Sequence, residues 1–175
     1  SLSEAVWLLG GSIALVQYSM IANSSDVQYS RNFTLKLVKF TYAVTFVILL
    51  CLLLLPPSFY IFIFGSDFGS VPEIMQCLAP GIISFSITIV LSSYFSGIGK
   101  YYVCTIAAAV GFILTLVFNF LLIPKYGIIG AGIAATLSYV GSTVYLVYIF
   151  VKDTKFKWND FVFKKQDVKF YFSEL

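Results

Sequence analysis

Histidine is absent from this chain of 175 residues, and Asp, Glu, Lys and Arg together supply only 11% of it, well under the share found in soluble domains. Without histidine, and without paired carboxylates in any apolar stretch, the usual parts for metal hydrolysis and general acid–base catalysis are missing. There is no HExxH and no CxxC, and Gly97-Ile98-Gly99-Lys100 is too short for the GxxxxGK[ST] loop that cradles phosphates. The three cysteines, Cys51, Cys77 and Cys104, each sit inside an apolar run without metal-ligand or disulfide spacing. They read as small buried hydrophobes. No enzymatic centre, metal or cofactor is expected.

What the chain has instead is apolar length. Hydrophobic residues make up 59% of it, and ten of its nineteen charged side chains fall after residue 151. A hydrocarbon slab about 30 Å thick needs about 20 apolar residues per helical crossing. Five uncharged runs satisfy that: residues 5–25, 40–66, 74–99, 101–123 and 126–151. Stretches such as Val47 to Leu55 show none of the alternation that a membrane β-barrel requires. The expected fold is therefore an all-α membrane protein with five transmembrane helices. Pro80 and the Pro56-Pro57 pair should kink or interrupt their helices, since proline removes a backbone donor and clashes with the preceding turn. With no charge deep in any run, no proton or sodium relay is expected here. Ser1 opens the chain, Met20 is its first methionine and no basic n-region precedes the first run. Together with an odd number of spans, this predicts a fragment of a larger transporter whose N-terminal helices are missing.

Lys and Arg are retained on the cytosolic side of short loops, so they set the orientation. Arg31, Lys36 and Lys39 lie between the first two runs, Lys100 between the third and fourth, and six lysines follow the fifth, against Lys125 alone on the other side. The chain should begin outside and end in the cytosol. The tail, residues 152–175, mixes these lysines with aromatic residues such as Trp158 and Phe163. It should lie among anionic lipid headgroups, and no nucleic-acid signature accompanies it.

Two runs carry polar or small residues at helical spacing. Gly127, Ala131, Ala134, Ser138 and Gly141 share one face of the fifth run. Such a face predicts a tight packing seam, because helices in lipid associate through close backbone approach. In the third run Ser84, Thr88, Ser92 and Ser96 recur every fourth residue. Their hydroxyls can bond to their own helix or line a water-accessible path, and the sequence leaves both open. Asn119, which shares a face with Thr115, either bonds a neighbouring helix or forms a polar wall.

The stretch NFLLIPKYGIIGAGIAATLSY at 119–139, with FIFGSDF at 62–68, LAPG at 78–81 and YFSGIGK at 94–100, resembles the C-terminal half of polysaccharide flippases. These are the Wzx-like O-antigen and capsule repeat-unit transporters of the multidrug/oligosaccharidyl-lipid/polysaccharide exporter superfamily. Gly132 departs from relatives that often carry alanine there. The resemblance implies part of a C-terminal six-helix bundle from a bacterial inner-membrane carrier of twelve or more helices. Its substrate would be an undecaprenyl-diphosphate-linked oligosaccharide, flipped by alternating access. On that reading Ser84, Thr88, Ser92 and Asn119 line the substrate path. Arg31, Lys36 and Lys100 stand at the cytoplasmic entrance, as attractors of diphosphate or simply as determinants of topology. The expected partners are the lipid-linked oligosaccharide, membrane lipid and the missing helices. The alternatives are a peptidoglycan-precursor flippase or drug exporter of the same superfamily, and a membrane-embedded polysaccharide-assembly enzyme.

Overall fold

A computed structural model describes residues 14–24, 26–65 and 71–154 of the chain. All secondary structure in these residues is helical. Residues 14–22 form α1, followed by α2 (Val27–Leu54), α3 (Pro57–Phe64) and α4 (Val71–Gly97). The stretch Tyr101–Thr154 is two helices that meet at Gly127, whose φ of 56° and ψ of −131° are non-helical. Its limb before Gly127 is α5 and its limb after is α6. Three stretches, Val27–Leu54, Pro72–Gly97 and Tyr101–Thr154, are long and apolar enough to cross a membrane, and the last supplies two limbs of crossing length. The protein is a multi-pass helical membrane protein.

Local chemistry sets the helix ends. The second predicted span was expected to begin at Phe40, yet α2 begins at Val27 because Asp26 caps it, accepting from the backbone N–H groups of Gln28 (2.8 Å) and Tyr29 (3.1 Å). Arg31, Lys36 and Lys39 are thus on a helix rather than in a loop, and Lys39 is buried. Lys39 immediately precedes the expected run and lies inside the longer helix that the structure shows. At the other end, Leu55 and Pro56 are both extended, as residues before proline must be, and Pro57 starts α3. The buried Tyr60 turns its hydroxyl back to donate to Leu52 O at 2.6 Å, satisfying a carbonyl in the last turn of α2.

Helix α4 closes with Gly99 at φ 76°. Gly99 N donates to Ser96 O and Lys100 N to Phe95 O, the paired bonds of a Schellman cap. Pro80 lies inside α4, which continues past it. Near this proline, one residue beyond the carbonyl that it leaves without an N–H, Thr136 Oγ1 of α6 donates to Cys77 O at 2.6 Å and ties the two helices together. The expected seam residue Gly127 instead makes the α5–α6 turn, where its positive φ is the property in use. Lys125 is on the helical approach to that turn.

Contacts between residues fix the helix directions. Gly111 meets Ser142, Leu114 meets Gly141 and Leu122 meets Gly130, so α5 and α6 are antiparallel. Cys77 pairs with Thr136, Phe85 with Tyr139, and Tyr94 with Phe150, so α4 and α6 run parallel. Leu49 packs with Met75, Ala79 and Ile82, while Leu35 and Val38 join Val90 and Leu91. That reversal makes α2 antiparallel to α4. Ile21 of α1 lies against Gly97. On α6, Ala134 and Ser138 are buried in the seam and Ala131 is half-buried. Residues 1–13 and 155–175, covering much of the first expected span and nearly all of the tail, lie outside the described residues.

A Cβ built on Gly81 would lie 2.8 Å from Thr136 Cα, whereas one on Gly132 would lie 3.5 Å from Cys77 Cβ. Gly81→Ala should therefore force α4 and α6 apart and destabilise the bundle by about 1–3 kcal/mol, while Gly132→Ala stays near neutral. Unfolding of both variants in detergent, by heat or denaturant titration, measures the difference.

Candidate functional site

The second half of α4 carries a polar ridge between two hollows. Thr88 and Ser92 line both of them, together with Phe85. One hollow, of about 300 Å³, lies between α4, α5 and α6 and is also lined by Cys104, Gly111, Thr115, Ser138, Tyr139 and Ser142. The other, more open and about 570 Å³, lies between α4 and α1, where Leu15 and Tyr18 face Ser93 and Ser96. The ridge exists because the hydroxyls recur every fourth residue, close to one helical turn. The hollow beside it exists because Gly111, Ser138 and Ser142 fill little volume.

The four residues assigned to a substrate path from sequence are not all brought together. Thr88 and Ser92 are. Ser84 lies one turn further toward the start of α4, where its hydroxyl donates to Pro80 O (2.9 Å) and its carbonyl accepts from Thr143 Oγ1 (2.8 Å). It lines neither hollow and serves the α4–α6 contact. Asn119 is half-buried in a separate, largely apolar groove with Leu116, Phe120, Ile123 and Pro124 on α5. Ser138 was read from sequence only as a packing residue and Ser142 was not singled out, yet both line the inner hollow. Their spacing from Ala134 was the available signal, but a small polar residue reads as a contact before it reads as a wall.

The charged residues gather at one end of the bundle. Lys100 Nζ lies 2.6 Å from Asp153 Oδ1, and Arg31 Nη2 donates to the Asp153 carbonyl at 3.0 Å. One residue at the end of α6 thereby ties down the start of α2 and the α4–α5 turn. The buried Tyr94 stands within electrostatic reach of Arg31, Lys100 and Asp153. Two of the three expected entrance residues, Arg31 and Lys100, converge in this way, and Lys36 is half-buried further along α2. A second buried polar link joins α1 to α2, where Gln17 Nε2 donates to Thr34 Oγ1 at 3.0 Å. Among the described residues no group of His, Cys, Asp or Glu is arranged to hold a metal ion.

No protein-family model matches the chain, and neither does any curated protein. Among solved structures, the lipid II flippase MurJ in an inward closed conformation superposes with a TM-score of 0.63 at 18% sequence identity. The match covers 99% of this chain and 41% of that one. At this identity the likeness establishes the fold. The chain shares the helical fold of part of that protein and spans about two fifths of its length.

The Lys100 and Asp153 side chains are 36% and 29% exposed, so solvent screens much of their attraction. A double-mutant cycle of Lys100→Gln and Asp153→Asn, read by unfolding in detergent, should give a coupling no larger than about 1 kcal/mol. Raising the salt concentration should shrink it further.

Proposed function

We propose that the chain is part of a flippase that moves a lipid-linked saccharide across a bacterial inner membrane by alternating access. The observation that carries this reading is the ridge of Thr88 and Ser92, which places hydroxyls beside open hollows in the second half of a helix of membrane-crossing length. Polar groups at that depth are costly unless they face protein or water. The fold likeness to a lipid II flippase supports a lipid-linked substrate.

Two substrates of the same chemistry compete. The stretch at residues 119–139 favours an undecaprenyl-diphosphate-linked oligosaccharide, as carried by Wzx-like transporters. The fold neighbour favours a peptidoglycan precursor. Both present a sugar head on an anionic, lipid-bound diphosphate. In either case Arg31 and Lys100 mark the cytosolic end, where they attract the diphosphate, and the tail lies on the same side. The helices that complete the cleft belong to the rest of the carrier, and a central path then opens alternately as two bundles rock.

Cysteine accessibility tests the path. Thr88→Cys and Ser92→Cys should react with a water-soluble thiol reagent faster than Val90→Cys and Leu91→Cys, both fully buried, in membranes carrying the full transporter. Complete protection of Thr88→Cys and Ser92→Cys from both faces of the membrane would remove the ridge from any aqueous path. Reconstituted into vesicles, the transporter should carry a labelled lipid-linked saccharide between leaflets.

A further inference from the structure

The inner hollow has an unusual hydrogen-bonding polarity. Ser138 Oγ donates to Ala134 O at 2.8 Å, Ser142 Oγ to Ser138 O at 3.0 Å and Thr115 Oγ1 to Gly111 O at 2.8 Å. Each hydroxyl has a single proton and two lone pairs, so these three protons are spent on their own helices. Thr88 follows by elimination. Thr143 Oγ1 lies 2.7 Å from Tyr139 O and 2.8 Å from Ser84 O, both of which can only accept. Its proton is therefore committed, and in the 2.8 Å contact between the two threonine hydroxyls Thr88 must donate. The Cys104 thiol, finally, donates to Ser92 O at 3.4 Å. Five polar groups from three helices around this space of about 300 Å³ thus have their protons committed elsewhere, leaving the hydroxyls of Ser92 and Tyr139 as its side-chain donors.

A lining of this kind selects its guest. An anion such as diphosphate would find no Lys or Arg and more acceptors than donors, so its charge would be buried unpaired, which is strongly unfavourable. A bare cation would find no carboxylate, since no acidic residue lines the hollow. A neutral guest with several O–H or N–H donors fits, and Phe85 and Tyr139, with ring centroids 4.8 Å apart, supply apolar ring surface for its less polar faces. The volume is at the small end for ligand sites, enough for one residue of a saccharide rather than a chain. We propose that the hollow between α4, α5 and α6 is a saccharide-binding site that reads hydroxyl donors and excludes the diphosphate. This deepens the flippase reading and rests on it for the identity of the guest. Thr88 lies about 14 Å of helix rise from Gly97, so the sugar would sit deep in the bundle while the diphosphate stays near Arg31 and Lys100.

Cys104 lines the hollow and serves as its reporter. In the full transporter carrying Cys51→Ser and Cys77→Ser, a methyl glycoside should slow alkylation of Cys104, about threefold at twice its dissociation constant. Inorganic pyrophosphate and sodium chloride should not. Replacing both Ser138 and Ser142 with alanine should abolish the protection. Ala108→Cys, exposed in the same lining, provides a second reporter if the Cys104 thiol reacts too slowly. Protection by pyrophosphate or by sodium would overturn the assignment, as would failure of the glycoside to protect either reporter. Transport of lipid-linked saccharide by the same preparation separates the two ideas. Transport without protection removes the site and keeps the flippase, while protection without transport does the reverse.

Discussion

Helices in a bilayer gain nothing from leaving water for one another, because lipid tails are as apolar as leucine, so they must hold together by how closely their backbones approach. In this chain that approach is set at a few small residues. Gly81 lies against Thr136, Gly97 against Ile21, Gly111 against Ser142 and Gly141 against Leu114. These contacts put α4 and α6 side by side, fold α5 back on α6 and seat α1 on the end of α4. The large apolar side chains do different work. Leu146, Phe150, Tyr94 and Phe95 fill the space between α4 and α6 toward the charged end, while many others, including Phe112, Phe120 and Val144, face outward.

The same absence of water dictates where hydroxyl protons go. Ser and Thr in these helices bond mainly to carbonyls one turn back, as Ser84, Thr115, Ser138, Ser142 and Thr154 do. This is the bland outcome for a polar residue in a membrane helix, and it has a consequence beyond satisfying the hydroxyl. A side chain that has donated its proton inward presents only oxygen lone pairs outward. The glycine and serine spacing that permits close packing also leaves a hollow where bulkier side chains would have closed one. Packing and a polar, donor-seeking surface are therefore produced by the same residues, and neither can be altered without the other.

How much of this was legible in the sequence depends on whether one residue type has one physical use. Charge had one. Lys and Arg avoid the hydrocarbon, so the bias toward one side anticipated that Arg31 and Lys100 would meet at one end of the bundle, as they do through Asp153. The fourfold recurrence of hydroxyls marked a helix face, but the register between helices decides which members of that face meet a hollow, and α4 gives Thr88 and Ser92 to it while Ser84 bonds to Pro80 and Thr143. Glycine had two uses. Gly127 matched a small-residue seam by spacing, yet its backbone sits at positive φ and makes a turn. Lys39 misled for a related reason. A charge was taken to end a span, but Asp26 caps α2 well before it, and a lysine whose stem packs along apolar surface can lie inside a helix.

The hydrogen bonds between helices are unevenly shared, and this shapes how the bundle can move. Three join α4 to α6, through Thr136 to Cys77, Thr143 to Ser84 and Thr88 to Thr143. Parallel neighbours linked at two levels, Thr136 and Thr143, resist sliding, because a shift along the axis strains these bonds together and leaves polar groups unpaired in an apolar setting. The link from α2 to this frame is of another kind. Apolar side chains such as Leu49 and Met75 pack at one end, and Arg31 reaches the Asp153 carbonyl at the other. Apolar contacts tolerate small shifts, and a guanidinium with five donors can exchange one acceptor for another. Relative displacement within the chain is thus easier between α2 and the α4–α6 pair than inside that pair.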